Sequence, residues 1–268
     1  PPAFHNAACV TRDRIDLVIG IAYVEHYEHQ YNTPFFVDLY IEHKRAFNDL
    51  VEKQYRGRAM FLDRFNGIIR GIKAVGHNTE PVPVCYHDGS YWVVDGFHRM
   101  SVLTYYNLKA NTKIVHKDPS SFSYHPTSIQ FFKQRQLPAL YCDYTMQRFF
   151  SRHHREFSCV VLFSPATSLR DVDARLTTGD VIYELAIPYV KSTQFANNFI
   201  RLLYSSESWC RRNGGAGHKA RACFPDEHGT VKILFTRKYD LDTLCAVKQS
   251  IRRHCQRGKH SVHTPDTP

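Results

Sequence analysis

The 268-residue chain has no apolar run of about 18 residues, the length that a membrane-spanning helix needs. Its first residues, PPAFHNAACVTRDRID, lack the basic-then-apolar layout of a secretory leader. No two of its eight cysteines stand as CxxC, and several, in VPVCY, SCVVLF and LCAVK, lie inside apolar runs. The expectation is therefore buried, reduced thiols and a cytoplasmic setting rather than a disulfide framework. No GxSxG elbow is present, so serine hydrolysis on that device has no support. HExxH and GxxxxGK[ST] are absent too, which removes the commonest zinc-protease and P-loop signatures. No internal repeat or low-complexity tract appears.

What is present describes an ordinary globular protein, with 43% hydrophobic and 22% charged residues. The length suits one large domain or two small ones, with a core that needs no staples. A formal charge of +10, with sixteen histidines besides, favours an anionic partner such as a nucleotide, an acidic glycan or nucleic acid. The basic residues are spread along the chain, with clusters at Arg152–Arg155, Arg211–Arg221 and Arg252–Lys259, so the charge alone does not select DNA.

Hydrophobic spacing predicts three helices first. One covers 12–31 with Thr11 as its cap, a second follows Thr33-Pro34, and a third covers 59–75 and stops at Gly76. Strands follow at 82–86 and 91–94, joined by a turn at Asp88-Gly89, then a helix over 99–107 and a strand over 112–116. The Pro- and Ser-rich stretch 117–128 reads as a linker. Beyond it, strands at 158–163, 181–187 and 230–235 alternate with helices at 169–176, 194–204 and 241–255. In the helix over 194–204, Phe195, Phe199, Leu202 and Leu203 are expected to face inward. The fold class expected is α/β, α+β overall, divided as 1–122, a connecting helical segment 123–157, and a smaller α/β domain 158–268.

The stretch YWVVDGFHRMSVL, residues 91–103, places an acid, a glycine, an imidazole and a guanidinium at a strand-to-helix turn. A helix N-terminus presents free N–H groups and the positive end of a dipole, so it accepts anions readily. Gly96 permits a tight turn, and Arg99 can grip phosphate with parallel hydrogen bonds. Asp95 can hold magnesium or take a proton from an attacking hydroxyl, and His98 can act as a second base or a donor.

With its flanks, IIRGIKAVGHNTEPVPVCYHDGSYWVVDGFHRMSVLTYYNLKANTKIV, this segment resembles the ParB/sulfiredoxin superfamily. DGFHR is similar to the Asp-Gly-His-Thr-Arg of free serine kinases, the Gly-Cys-His-Arg of sulfiredoxin and the Gly-Glu-Arg-Arg of ParB. The resemblance implies a loop and helix N-terminus that bind the phosphates of ATP, ADP or CTP. It assigns phosphate binding to Gly96 and Arg99, and catalysis or nucleotide positioning to Asp95 and His98. HNTEP stands where ParB has a Gln-Pro-Arg-like box, and no helix-turn-helix pattern follows, so a nucleic-acid partner is not expected. The whole chain also resembles uncharacterised proteins encoded beside surface-polysaccharide genes.

A second candidate lies in YSSESWCRRNGGAGHKARACF, residues 204–224. Asn213, Gly214, Gly215 and Gly217 can form a nest of N–H groups around an anion, with Lys219 adding charge and Trp209 a stacking surface. Glu207 is a weaker acid or base candidate. Glu25, His26, Glu28 and His29 read as a solvated helix face rather than a metal site, and Phe131, Phe132, Phe149 and Phe150 read as packing.

The function expected is a nucleotide-dependent transferase moving a phosphoryl group to a small-molecule or sugar hydroxyl. A nucleotide (ATP/ADP, CTP or a nucleotide-sugar) is the implied cofactor, with magnesium on Asp95, and Lys219 would reach a cleft between the halves. The alternatives are a glycosyltransferase using a nucleotide-sugar in surface-glycan synthesis and a ParB-like CTP- or nucleic-acid-binding module.

Overall fold

The computed structural model describes residues 14–51, 57–87, 90–115, 129–153, 155–163, 181–190, 192–211, 214–255 and 258–264. The chain divides into two compact units, Pro1–Ser151 and Arg152–Pro268. Helices and two sheets together give the mixed α/β, α+β class that the sequence predicts.

In the first unit α1 (Asp16–His29) begins four residues later than the spacing suggests, with Ile15 at the capping position; Thr11 lies outside the described residues. Every residue from Asp16 to Val24 is buried. A helix apolar on all sides belongs at the centre of a core, not on its surface. The helices α2 (Phe35–Val51) and α3 (Arg58–Val75) follow, and α3 stops at Gly76, whose φ of 74° lets its N–H reach the Ile72 carbonyl.

The face expected to be solvated on α1 is tied to other helices instead. Glu28 accepts from Lys73 at 2.6 Å, and Glu25 pairs with Arg148. Both carboxylates lie where α1 still faces neighbours, so they answer basic groups on α3 and α6 (Ala139–Arg152). His26 and His29 sit among the rings of Tyr31 and Phe36, and no group of metal-ligating residues occurs among the described residues.

A three-stranded sheet comes next, in the order β2-β1-β3. Strands β1 (Val82–His87) and β2 (Ser90–Val93) pair antiparallel, with His87 opposite Ser90. That register leaves a two-residue connection at Asp88-Gly89, itself outside the described residues. The helix α4 (Phe97–Tyr105) then leads to β3 (Thr112–Ile114), which runs parallel to β1. The expected linker 117–128 lies outside the described residues, and α5 (Ile129–Gln134) and α6 complete the unit. Phe131, Phe132, Phe149 and Phe150 are buried, as packing residues should be.

The contact that sets this unit is between α1 and α4. A Cβ at Gly20 would lie 2.0 Å from Ser101 Oγ and 2.9 Å from the Phe97 ring. Only hydrogen fits there, and Ser101 is held in place because its hydroxyl donates to the Phe97 carbonyl at 2.8 Å.

The second unit is a four-stranded antiparallel sheet, ordered β5-β6-β4-β7, with helices on both faces. Its strands are β4 (Phe157–Leu162), β5 (Val181–Val190), β6 (His228–Arg237) and β7 (Val262–His263). Alternation along β4 sends Val161 and Phe163 to one face and Val160 and Leu162 to the other. The first face packs on α7 (Thr193–Leu203), α8 (Ser208–Arg211) and α9 (Gly215–Cys223), the second on α10 (Leu241–Cys255). Ser192 caps α7 by accepting from the Phe195 N–H at 2.9 Å. The expected inward set on α7 needs one correction: Leu202 is 79% exposed, while Ala196 and Ile200 carry the buried stripe. The short helix expected over 169–176 lies outside the described residues.

Gly20→Ala should cost about 1–3 kcal/mol in a urea titration, because overpacking outweighs the better helix propensity of alanine. Gly71→Ala, where an added Cβ meets open space, should leave stability unchanged or raise it.

Candidate functional site

Strand β2 ends at Val93, and the chain reaches α4 through Val94, Asp95 and Gly96. Gly96 has a φ of 107°, a region that side chains strain to enter, and it caps the helix. A Cβ there would also crowd Val82 at 3.2 Å. Asp95 is exposed, and its Oδ1 accepts from the Gly96 N–H at 2.6 Å. The four motif residues Asp95, Gly96, His98 and Arg99 therefore gather at one helix N-terminus, but their side chains are deployed differently from one another.

His98 turns into the core. Its Nε2 shares a hydrogen bond of 2.8 Å with the buried Tyr40 hydroxyl, and its ring centroid lies 4.6 Å from that of Phe65. Burial holds its pKa well below the ordinary value of 6.5, and the charges of Lys44, Arg64, His43 and Arg99 push the same way. The imidazole is thus neutral, with one nitrogen committed to Tyr40. Arg99 bends back along the chain: its Nη1 donates to the Glu80 and Pro81 carbonyls at 3.2 and 3.1 Å and meets the exposed Glu80 carboxylate at 3.3 Å. The segment it holds is also fixed by Asn78, which bonds Glu80 and Asn111 and is buried. All three of these Arg99 contacts run through one nitrogen. The Arg99 Nε lies beside Gly96, where an added Cβ would be 3.7 Å from it.

Further groups at this site come from the helices that precede the sheet. Arg14 grips Asp16 through two hydrogen bonds of 2.8 and 2.7 Å, reaches the Val93 carbonyl at 3.5 Å, and feels the charge of Asp95. Lys44, only 7% exposed, places its ammonium 5.6 Å from the Phe97 ring and 5.9 Å from those of Phe47 and Phe61. His43 is 1% exposed, walled by Phe47, Phe97 and Phe132, and neither ring nitrogen has a hydrogen-bond partner among the described residues. Burial drives its pKa well below 6.5, helped by Lys44 and Arg14. Sequence spacing places His43 on the inner face of α2, but nothing in that spacing shows that α2 packs against the Asp95 turn.

The second candidate set is placed together in the second unit. The expected glycine nest is a helix start: Gly214, with a φ of 86°, caps α9, and Asn213 lies outside the described residues. Gly215 serves packing, since a Cβ there would lie 2.1 Å from the Trp209 carbonyl. Gly217 has ordinary room, with Asn197 Oδ1 at 3.6 Å from an added Cβ. Trp209 packs on Tyr204 at 5.1 Å within the core, rather than standing free to stack on a base. Lys219 is buried, donates to the Lys259 carbonyl, and lies 5.4 Å from the Tyr204 ring. Glu207 is exposed.

The seven cysteines among the described residues are all free, and burial raises Cys142 and Cys159 to about 11 and Cys223 to about 12. No helix among the described residues is long and apolar enough to cross a membrane. No family model, no curated protein and no solved structure matches the chain.

Neutral His43 and His98 give a pH dependence of definite sign. Their folded pKa values lie below the unfolded value of 6.5, so the unfolded chain takes up protons first as pH falls. Their contribution is complete above about pH 6.5 and is lost progressively below it. The urea midpoint should fall from pH 7.5 to 5.5 (roughly one unit either side of that value), while imidazole 15N shifts keep His98 neutral in the folded chain throughout.

Proposed function

We propose that the chain is a nucleotide-dependent transferase that moves a phosphoryl group from a nucleotide to a small-molecule or sugar hydroxyl. The observation that carries this reading is that Arg14, before α1, and Lys44, on α2, are brought beside the Asp95–Arg99 turn, Arg14 at the Val93 carbonyl and Lys44 over the Phe97 ring. A helix N-terminus with a left-handed glycine and a basic surround suits the phosphates of a nucleotide. The similarity of DGFHR to the ParB/sulfiredoxin motif supports the same ligand.

In this reading the α4 N-terminus and Arg99 hold phosphate oxygens, with Lys44 and Arg64 contributing field. Asp95 is the exposed carboxylate that accepts the proton of the attacking hydroxyl. It also offers an oxygen to a magnesium ion that arrives with the nucleotide, a cation that screens phosphate charge during transfer. His98 becomes a positioning residue: neutral and bonded to Tyr40, it fixes the first turn of α4 rather than trading protons with substrate.

A thermal-shift panel of ATP or ADP with magnesium, CTP, UDP-sugars and GDP-sugars tests this proposal. ATP or ADP with magnesium should stabilise the protein, and Arg99→Ala should weaken that binding about 10- to 100-fold. Asp95→Asn should keep the binding and lower turnover by about 10²–10⁴-fold. Stabilisation by nucleotide-sugars without ATP would refute phosphoryl transfer in favour of glycosyl transfer.

A further inference from the structure

The second unit carries most of the basic excess of the chain, with 18 Lys and Arg against 11 Asp and Glu over residues 152–268. Part of that charge is drawn inside. Lys219 on α9 is 8% exposed, and lysines this deep are rare without a carboxylate. Its ammonium has the Lys259 carbonyl and the Tyr204 ring. Among the described residues, the ionisable groups that act on it are Lys248, Arg252, Lys259 and the Cys223 thiol, with no carboxylate among them.

His260 stands in the same field, facing Lys219, Lys259, His218 and Arg252. Two nitrogens in this cluster, Arg252 Nε and His260 Nδ1, are buried with no hydrogen-bond partner among the described residues. An arginine nitrogen can only donate, so its place demands an acceptor. The three groups come from three elements, α9, α10 and the 3₁₀ turn Gly258–His260, and the turn packs against each of the two helices. Ser261, fully buried, ties the turn by donating to the Gly258 carbonyl at 2.8 Å, and its own carbonyl accepts from the Phe163 N–H beside β7.

We infer that Lys219, Arg252 and His260 form an anion-binding site that takes a phosphate group, with Lys248 and Lys259 at its margin. Donors from three elements suit a tetrahedral oxyanion with several acceptor oxygens, and bidentate pairing with phosphate is what a guanidinium does best. A buried ammonium suits a compact anion rather than the long exposed stripe that tracks a nucleic-acid backbone. Burial and like charge both lower the Lys219 pKa, and an anion seated there would reverse that shift. The inference does not rest on the transferase reading, which concerns other residues.

The probe is inorganic phosphate, titrated into the full chain by calorimetry and by thermal shift. Wild type should bind it, and Arg252→Gln should weaken that binding at least about tenfold. His260→Gln, a milder change at a half-buried position, should weaken it too while circular dichroism stays that of wild type. No heat and no stabilisation at millimolar phosphate would overturn the site. So would a response unchanged in both Arg252→Gln and His260→Gln, since that assigns the phosphate to other residues.

Discussion

The first unit rests on the close approach of α1 to α4 at Gly20. Because no atom but hydrogen fits between Gly20 and Ser101, the two helices are locked at one spacing. The first turn of α4 is the Asp95–Arg99 motif, so the lock that builds the core also positions the motif. Arg14 works from the same end of α1. Its guanidinium is spread over Asp16 and the Val93 carbonyl, which joins the start of the central helix to the end of β2. A buried ion pair contributes little net stability, but removing either partner strands a charge in the interior. Its value here is register: it fixes where β2 hands over to Asp95.

In both units some bases lie buried among other cations. Charge in a poorly solvated place is costly unless it is paired, and titratable groups lower that cost by giving up their protons. His43 and His98 do so beside Lys44, Arg64 and Arg14, and Lys219 and His260 shift in the same direction beside Lys248, Arg252 and Lys259. Burial is the largest cause of each shift and the neighbouring cations add to it. Burial disfavours an anion too, so only the part that comes from the cations favours negative charge there.

The element order was legible because period and punctuation agreed: Gly76 ends α3, Pro34 precedes α2, and the β1–β2 turn has the spacing of a two-residue hairpin. Burial was less legible. The first helix carries Leu17, Val18, Ile19, Ile21, Ala22 and Val24, apolar in every direction, and reading one stripe into it gave a solvated face that in fact pairs with Lys73 and Arg148. On α7 the large Leu202 drew the inward assignment, while the smaller Ala196 lines the core. Strand direction in the second unit could not be read from alternation, since it depends on which edges meet. The candidate site was legible as a local turn and not as a set of long-range contacts. Nothing local in Tyr40 or Lys44 shows that α2 delivers them to α4 from more than fifty residues away.

The motif read as four potential ligand groups therefore separates into distinct physical tasks. Gly96 supplies a backbone conformation, His98 anchors α4 to Tyr40, and Arg99 spends one nitrogen on the segment that enters β1. Asp95 alone projects an exposed carboxylate. In the proposed reading, because three of four motif residues are partly occupied with holding the turn, much of the charge that meets a phosphate comes from elsewhere in the fold. Arg14 and Lys44 are placed to supply it, from helices that precede the strand-and-turn unit entirely. The N-terminal helices are thus part of the candidate site and not a mere extension of it. A fragment that began at β1 would keep DGFHR while losing both the lock on α4 and the cations around it.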